Sequence, residues 1–346
     1  MVAMSFRTPI YFVTSDHLLR LGFLSKVIDF LVAPIGKLKA SSDLVTIKKI
    51  MKKLKRGRTV CIFPEGNRSF HGCTTYISPA IGKLIKTINV DVLLYNIDRG
   101  YLADPRWGNT IRRGKLRGFV KRTLRPEEYK AMTPEEITDV VVEALDVNPT
   151  PLDPPNVIPF KGKRLAESLE RAVFICPHCK SVASIHTKGN EGTCEVCGLT
   201  FQYEKTGYLS GKGFPFRTVK EWDDWQRKAI QGTDYEDGRP ICSDKNETMY
   251  LITRARRNDI VGSGILTVYP DCFLFESESD GKLYRFDYEC VNAVIIHGRQ
   301  VLQLCYDENQ YYEFKNNGIR SAVKYMYYYY YFKEKARGEI SEFFGI

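Results

Sequence analysis

The chain of 346 residues is long enough for two or three domains, and its 43% hydrophobic content excludes disorder throughout. Its net charge of +10 is lopsided: residues 1–150 hold 25 Lys and Arg against 14 Asp and Glu, and the remainder holds 26 against 27. A cationic surface therefore belongs to the first region, where it attracts phosphates, nucleic acid or an anionic membrane face. No run of 18 apolar residues is present to cross a bilayer.

In chain order, "PIYFVT" at 9–14 predicts a strand, and 16–31 predicts a helix. Within 23–35 the apolar run is broken by Lys26, Asp29 and Pro34, so it reads either as a helix packed on its own domain or as one lying on a membrane. Ser42 caps a further helix with Ile47, Ile50, Met51 and Leu54 at helical spacing, ended by Gly57. A strand follows at 59–63, a helix at 79–88 and a strand at 90–97. Thr133-Pro134-Glu135-Glu136 is a capping box with proline at the first helical position, opening a helix to about residue 147. Strands alternating with helices predict an α/β domain with a largely parallel sheet over 1–148.

Five prolines within 148–160 predict a linker, and with a short helix at 162–171 it occupies 149–171. Cys176-Pro-His-Cys179 and Cys194-Glu-Val-Cys197 follow, separated by 14 residues, close to zinc-ribbon spacing. Two such knuckles bring four thiolates into a tetrahedron around Zn²⁺, a closed shell that makes the metal structural. The ribbon spans 172–204, and Gly198 supplies the tight turn after the last cysteine. His178 lies inside a knuckle and is not counted as a ligand. The segment is not strongly basic, which argues against nucleic acid as a partner. The other six cysteines (61, 73, 242, 272, 290, 305) are scattered, with no secretory leader ahead of them, and read as free thiols in a reducing cytoplasm.

Residues 205–244 read as a second linker carrying a helix around Trp222 and Trp225. Seven short strands are then predicted at 249–254, 264–269, 272–276, 283–287, 291–296, 301–306 and 311–315, with a helix at 319–337. This pattern over 245–346 resembles a PH-like or GRAM-like domain, a small β-sandwich closed by a C-terminal helix. In "KYMYYYYYF", 324–332, Tyr325, Tyr328, Tyr329 and Phe332 are expected on a core face. Tyr327, Tyr330 and Tyr331 are left to a wet rim or a membrane interface.

The stretch "CIFPEGNRSFHG", 61–72, ends the 59–63 strand in a proline, a carboxylate, a glycine and a guanidinium. A surface ion pair is one reading. A phosphate site is the other, since Gly66 admits a ligand close to the backbone and strand ends of α/β sheets are where ligands bind. Lys39, Arg68, Arg106, Arg112, Arg113, Arg117, Lys121 and Arg122 are candidates to converge on it.

"FPEGNRS" at 63–69 resembles the phosphate-binding motif of the glycerolipid acyltransferases, in particular the 1-acylglycerol-3-phosphate (lysophosphatidate) acyltransferases, and the likeness covers about 5–148. It implies that Phe63, Pro64, Glu65, Gly66, Asn67, Arg68 and Ser69 hold a lysophosphatidate-type acceptor, with Lys39 standing where the family has an arginine. Asn67 replaces the usual threonine and keeps a hydrogen-bonding side chain. The implied donor is acyl-CoA or an acyl-carrier protein, and the implied place is the cytoplasmic face of an anionic membrane, peripherally bound. No redox cofactor is implied.

The family's chemistry uses His-x4-Asp, in which imidazole takes the acceptor proton and the carboxylate orients the ring. Five residues after His17, His71, His178, His186 and His297 stand Gly22, Tyr76, Ala183, Glu191 and Leu302, so these residues contain no such pair. The resemblance places it upstream of the 9–14 strand. The expectation is an N-terminally truncated α/β acyltransferase domain without a catalytic residue of its own, or else a non-catalytic phospholipid-binding homologue.

Overall fold

The computed structural model describes residues 2–15, 34–37, 44–150, 158–252, 258–307 and 310–338. The helix expected at 16–31, most of the 23–35 segment, His17, Lys39 and linker residues 151–157 lie outside the described residues. The chain is mixed α/β and forms two compact units. The first holds 1–69, 73–99 and 116–148; the second holds 70–72, 100–115 and 149–346.

In the first unit, β1 (Ile10–Ser15) lies between β2 (Ile35–Lys37) and β3 (Thr59–Cys61) and is parallel to both. Their carboxyl ends therefore share one edge of the sheet. Helix α1 (Leu44–Leu54) precedes β3, burying Thr46 and Ile50, and Gly57 beyond it adopts φ +68°. Helix α2 (Ala80–Thr87), strands β4 (Val92–Asp98) and β5 (Arg117–Leu124), which pair antiparallel, and helix α3 (Pro134–Leu145) complete the unit. Thr133 Oγ1 accepts from the Glu136 N–H and Glu136 accepts from the Thr133 N–H, which is the expected capping box. Ile137, Val141 and Ala144 of α3 pack with Ile85, Leu94 and Leu124 in a small core.

Gly82 is where α2 meets α3. A Cβ there would stand 1.9 Å from the Pro134 carbonyl oxygen and 2.4 Å from Thr138 Oγ1. Alanine's helix propensity favours Gly82→Ala by about 1 kcal/mol, but forcing the helices apart costs about 1–3 kcal/mol or more. Gly82→Ala is therefore expected to destabilise the chain in thermal or urea denaturation; a stabilised variant would show that the helices are not this close.

The second unit begins with the single helical turn Gly100–Ala103 and the loop to Lys115. These residues were expected in the first domain. They belong here because Arg106 and Arg112 are buried among residues 160–300, as described below. A four-stranded antiparallel sheet follows, of β6 (Ile185–Lys188), β7 (Glu191–Cys194), β8 (Thr200–Tyr203) and β9 (Leu209–Ser210). Helix α4 (Val219–Gln231) has Trp222 and Gln226 fully buried, so the expected linker is part of the core. The Trp222 indole donates to the Ile175 carbonyl, and Gln226 spans the Phe174 N–H and Ala172 C=O.

The seven expected strands are all present: β10 (Cys242–Ile252), β11 (Asn258–Val268), β12 (Cys272–Ser277), β13 (Leu283–Asp287), β14 (Val291–His297), β15 (Val301–Tyr306) and β16 (Gln310–Asn316). They form one antiparallel sheet in the order β13-β12-β11-β10-β16-β15-β14. The last strand thus closes onto the first. Helix α5 (Val323–Ala336) ends the described chain.

The rim expected on α5 shrinks to Tyr330. Tyr327 and Tyr331 are buried with Tyr325, Tyr328, Tyr329 and Phe332, and only Tyr330 is half-buried. Three consecutive buried tyrosines span about 200° of a helical circumference, so more than one face is packed. One face meets the large sheet through Phe273 and Tyr288, and the other meets α4 and Tyr235.

His71, whose reading was a surface or packing histidine, is buried in this unit, and burial lowers its pKa to about 4. As pH falls from about 6.5 to about 4, the unfolded chain takes up a proton that the native chain refuses. Stability therefore falls over that window, by up to about 3 kcal/mol from this group. His71→Gln is expected to flatten the pH dependence of urea stability between those limits; an unchanged slope would place the imidazole in solvent.

Candidate metal centre and strand-end turn

The two C-x-x-C pairs fold into matching knuckles. In each, the first cysteine's N–H donates to the carbonyl five residues on: Cys176 to Ser181 (3.0 Å) and Cys194 to Leu199 (2.9 Å). In each, its carbonyl accepts from the N–H four residues on: Lys180 (3.0 Å) and Gly198 (2.9 Å). Closing that turn requires a left-handed residue after the second cysteine. Gly198 sits at φ +73°, and Lys180 takes the same role at φ +60°. A lysine in this conformation costs roughly 1–2 kcal/mol relative to the right-handed region.

The knuckles place all four sulfurs within 4.8 Å of one another, with Cys176–Cys197 at 3.6 Å and Cys179–Cys194 at 3.7 Å. These separations are far longer than a disulfide, and all ten cysteines are free. His178 is exposed and outside the cluster. The surroundings suit thiolate chemistry. Cys179 Sγ lies 2.9 Å from Ser181 Oγ, and Cys194 Sγ lies 3.3 Å from Ser184 Oγ. Burial pushes the Cys176 thiol up to about 12. Burial also works upward on Cys194, yet the Ser184 hydroxyl and the Cys197 N–H bring it down to about 5. Sequence spacing found the four sulfurs; the serine hydroxyls are not part of that spacing.

The cluster can hold one metal ion, with four ligands closing its shell. Binding must expel thiol protons, so affinity falls with acidification. Chelation, or Cys194→Ser, is expected to abolish slow amide exchange over 172–204 and to lower the melting temperature. Retained protection in a demonstrably metal-free chain would contradict this.

The 63–69 turn leaves the carboxyl end of β3. The Gly66 N–H donates to the Phe63 carbonyl at 3.0 Å, and Gly66 takes φ +70° with no atom within 4 Å of where a Cβ would stand. Glu65 Oε2 accepts from the Thr75 N–H (2.9 Å) and the Thr75 hydroxyl (3.0 Å). Thr74 is tied to the end of α3: its hydroxyl donates to the Leu145 carbonyl and accepts from the Val147 N–H. The carboxylate therefore fixes the turn from inside. Gly66, Asn67 and Arg68 are exposed, while Pro64, Glu65 and Ser69 are half-buried. Phe63 is 54% exposed and stacks with Phe12 at 6.4 Å. Thr75, ten residues from Glu65, carried no motif that would have marked it.

The cations expected to converge on this turn are divided. In the second unit, Arg106 donates to the Gly298 (2.9 Å) and Ile296 (2.8 Å) carbonyls and lies over Phe70. Arg112 donates to the Leu165 carbonyl and lies over the Trp107 and Tyr203 rings. The Arg113 backbone pairs with Lys161. Arg106 and Arg112 thus serve that unit's core, where planar guanidinium suits both carbonyls and ring faces. In the first unit, Lys121 donates to the Glu143 carbonyl, Arg122 pairs with Glu128, and Arg117 lies over Phe119. Among the described histidines, His186 is 4.0 Å from Glu170 in the ribbon, and buried His297 bonds Gln303.

No protein-family model matches the chain, and no curated protein matches it. A chain of the structure titled "The 8S snRNP Assembly Intermediate" is 8% identical with a TM-score of 0.22, over 28% of this chain and 84% of that one. The "Crystal structure of the C-terminal domain of an unknown protein from Leishmania infantum" gives 10% identity and a TM-score of 0.16, over 29% and 84%. Similarities at this level carry no argument about function.

Proposed function

We propose that the first unit is a glycerolipid-acyltransferase-like module whose 63–69 turn receives the phosphate of a lysophosphatidate-type acceptor. The observation that carries this reading is the turn itself. An open Gly66 backbone and the exposed Asn67 and Arg68 stand at the carboxyl end of a parallel strand, held by Glu65 on Thr75. The lopsided charge, with the excess of basic residues in 1–150, favours an anionic lipid and a membrane surface. The family reaction attaches an acyl group from a carrier thioester to the acceptor hydroxyl, which needs a base to remove the proton. These residues contain no His-x4-Asp pair. They account for acceptor binding, and losing a general base typically costs about 10²–10⁴ in rate.

Zinc is the ion we assign to the four cysteines. Zn–S bonds of about 2.3 Å set tetrahedral sulfurs about 3.8 Å apart, and Cys176–Cys197 and Cys179–Cys194 stand at 3.6 and 3.7 Å. The seven strands and closing helix of 242–336 support a PH-like reading of that part.

Lysophosphatidate binding to the full chain, measured by calorimetry, is expected to weaken about tenfold or more in Arg68→Ala, the loss of a charge-assisted contact to phosphate. Equal affinity of the variant and the native chain would overturn the assignment. A second reading, a non-catalytic phospholipid binder, rests on the same turn. It predicts the same binding with no acyl transfer above background.

A further inference from the structure

We propose that the second unit carries a separate binding site for a phosphate monoester on a flat or apolar body, in a cleft between the first knuckle and the end of α4. The cleft has a volume of 280 Å³ and is lined by Lys180, Trp225, Lys228, Ala229, Gly232 and Thr233. Its two charged groups are both ammonium, and no acidic side chain lines it. The neighbouring carboxylates of α4 are already paired: Asp223 with Arg227 and Asp224 with Lys220. Two ammonium groups favour a dianion over a monoanion, and a phosphate monoester is dianionic near neutral pH. Trp225, Ala229 and Gly232 make most of the remaining wall apolar, the Thr233 hydroxyl donates to the Ala229 carbonyl, and the Trp225 ring offers a surface for stacking and cation–π contact. The size suits a small ligand, close to the lower end of ordinary binding pockets.

A second observation bears on Lys180, one of seven described non-glycine residues with a positive φ. The knuckle fold asks for a left-handed residue there, and the matching position of the other knuckle is Gly198. Glycine at 180 would relieve the backbone at no evident loss of packing, since Lys180 is exposed. A residue held in an unfavourable conformation while placing its side chain in a cleft is a pattern of functional sites. The ligand site accounts for the side chain that the fold alone does not need.

The chain contains its own reporter. Of its three tryptophans, Trp107 and Trp222 are fully buried and Trp225 is half-buried. Acrylamide quenching of the metal-loaded full chain therefore reads chiefly Trp225. Titration with phenyl phosphate is expected to protect this fluorescence saturably, whereas phenol protects far less. Phosphatidate-containing phosphatidylcholine vesicles form a second arm. Protection by phenyl phosphate alone assigns the site to a soluble ester, and protection by vesicles assigns it to a lipid headgroup. Lys180→Gly and Lys228→Gln are each expected to weaken protection about tenfold, near the worth of one charge-assisted contact. Lys180→Gly should at the same time leave the melting temperature equal or higher. Absence of saturable protection in both arms, equal protection by phenol, or protection unchanged in both lysine variants would overturn the proposal.

Discussion

An aspartate inside an aromatic core holds the second unit together. Asp223, 2% exposed, accepts from Tyr327 Oη (2.8 Å), Gln226 Nε2 (2.7 Å) and Arg227 Nε (3.0 Å), and Arg227 also donates to Tyr327 Oη (2.8 Å). A buried carboxylate is tolerated only when so many donors replace its water. That requirement fixes α4 against α5. Once α4 is fixed, Trp222 reaches the Ile175 carbonyl and Gln226 reaches the 172–174 backbone, so the approach to the first knuckle is positioned as well. A second buried set works on the other side: Asp244 accepts from Lys324 and Tyr325, and Glu247 pairs with Arg320. Both acids lie on β10 beside its register shift, which ties the central strand to the start of α5. The apolar surface supplies most of the stabilisation, while these charged links choose one arrangement of it.

The two regions proposed to receive phosphate differ in how their geometry is fixed. The strand-end turn is held by a carboxylate bonding a neighbouring loop, so Glu65 acts through the backbone it positions. The knuckle cleft depends on the metal turn, because Lys180 follows the second sulfur ligand directly. A lysine there stands where the matching knuckle has glycine.

Much of this was legible locally. Capping at Thr133 follows from four adjacent residues, and the knuckles follow from cysteine spacing. The seven strands of the large sheet follow from alternating patterns between turn residues. Basic clustering misled, because charge along a sequence does not say whether a guanidinium will face solvent or a carbonyl. Arg106 and Arg112 find their partners about 190 and 53 residues away, and nothing near them in sequence announces it. The tyrosine run misled similarly: a single core face was the economical reading for one helix, and only a second packing surface, α4, buries the rest.

The sequence by itself determined the four-cysteine cluster, the capped helix and the seven strands of the large sheet, whereas the largely parallel sheet expected over 1–148 is three parallel strands with β4 and β5 paired antiparallel apart from them. The first three depend on turn chemistry, periodicity and spacing, which act over a few residues. Only the tertiary structure decided that 70–72 and 100–115 join the second unit, that α4 is core, and that α5 is packed on two faces. Those outcomes depend on which surfaces meet, and buried polar groups distant in the chain must find one another when they do.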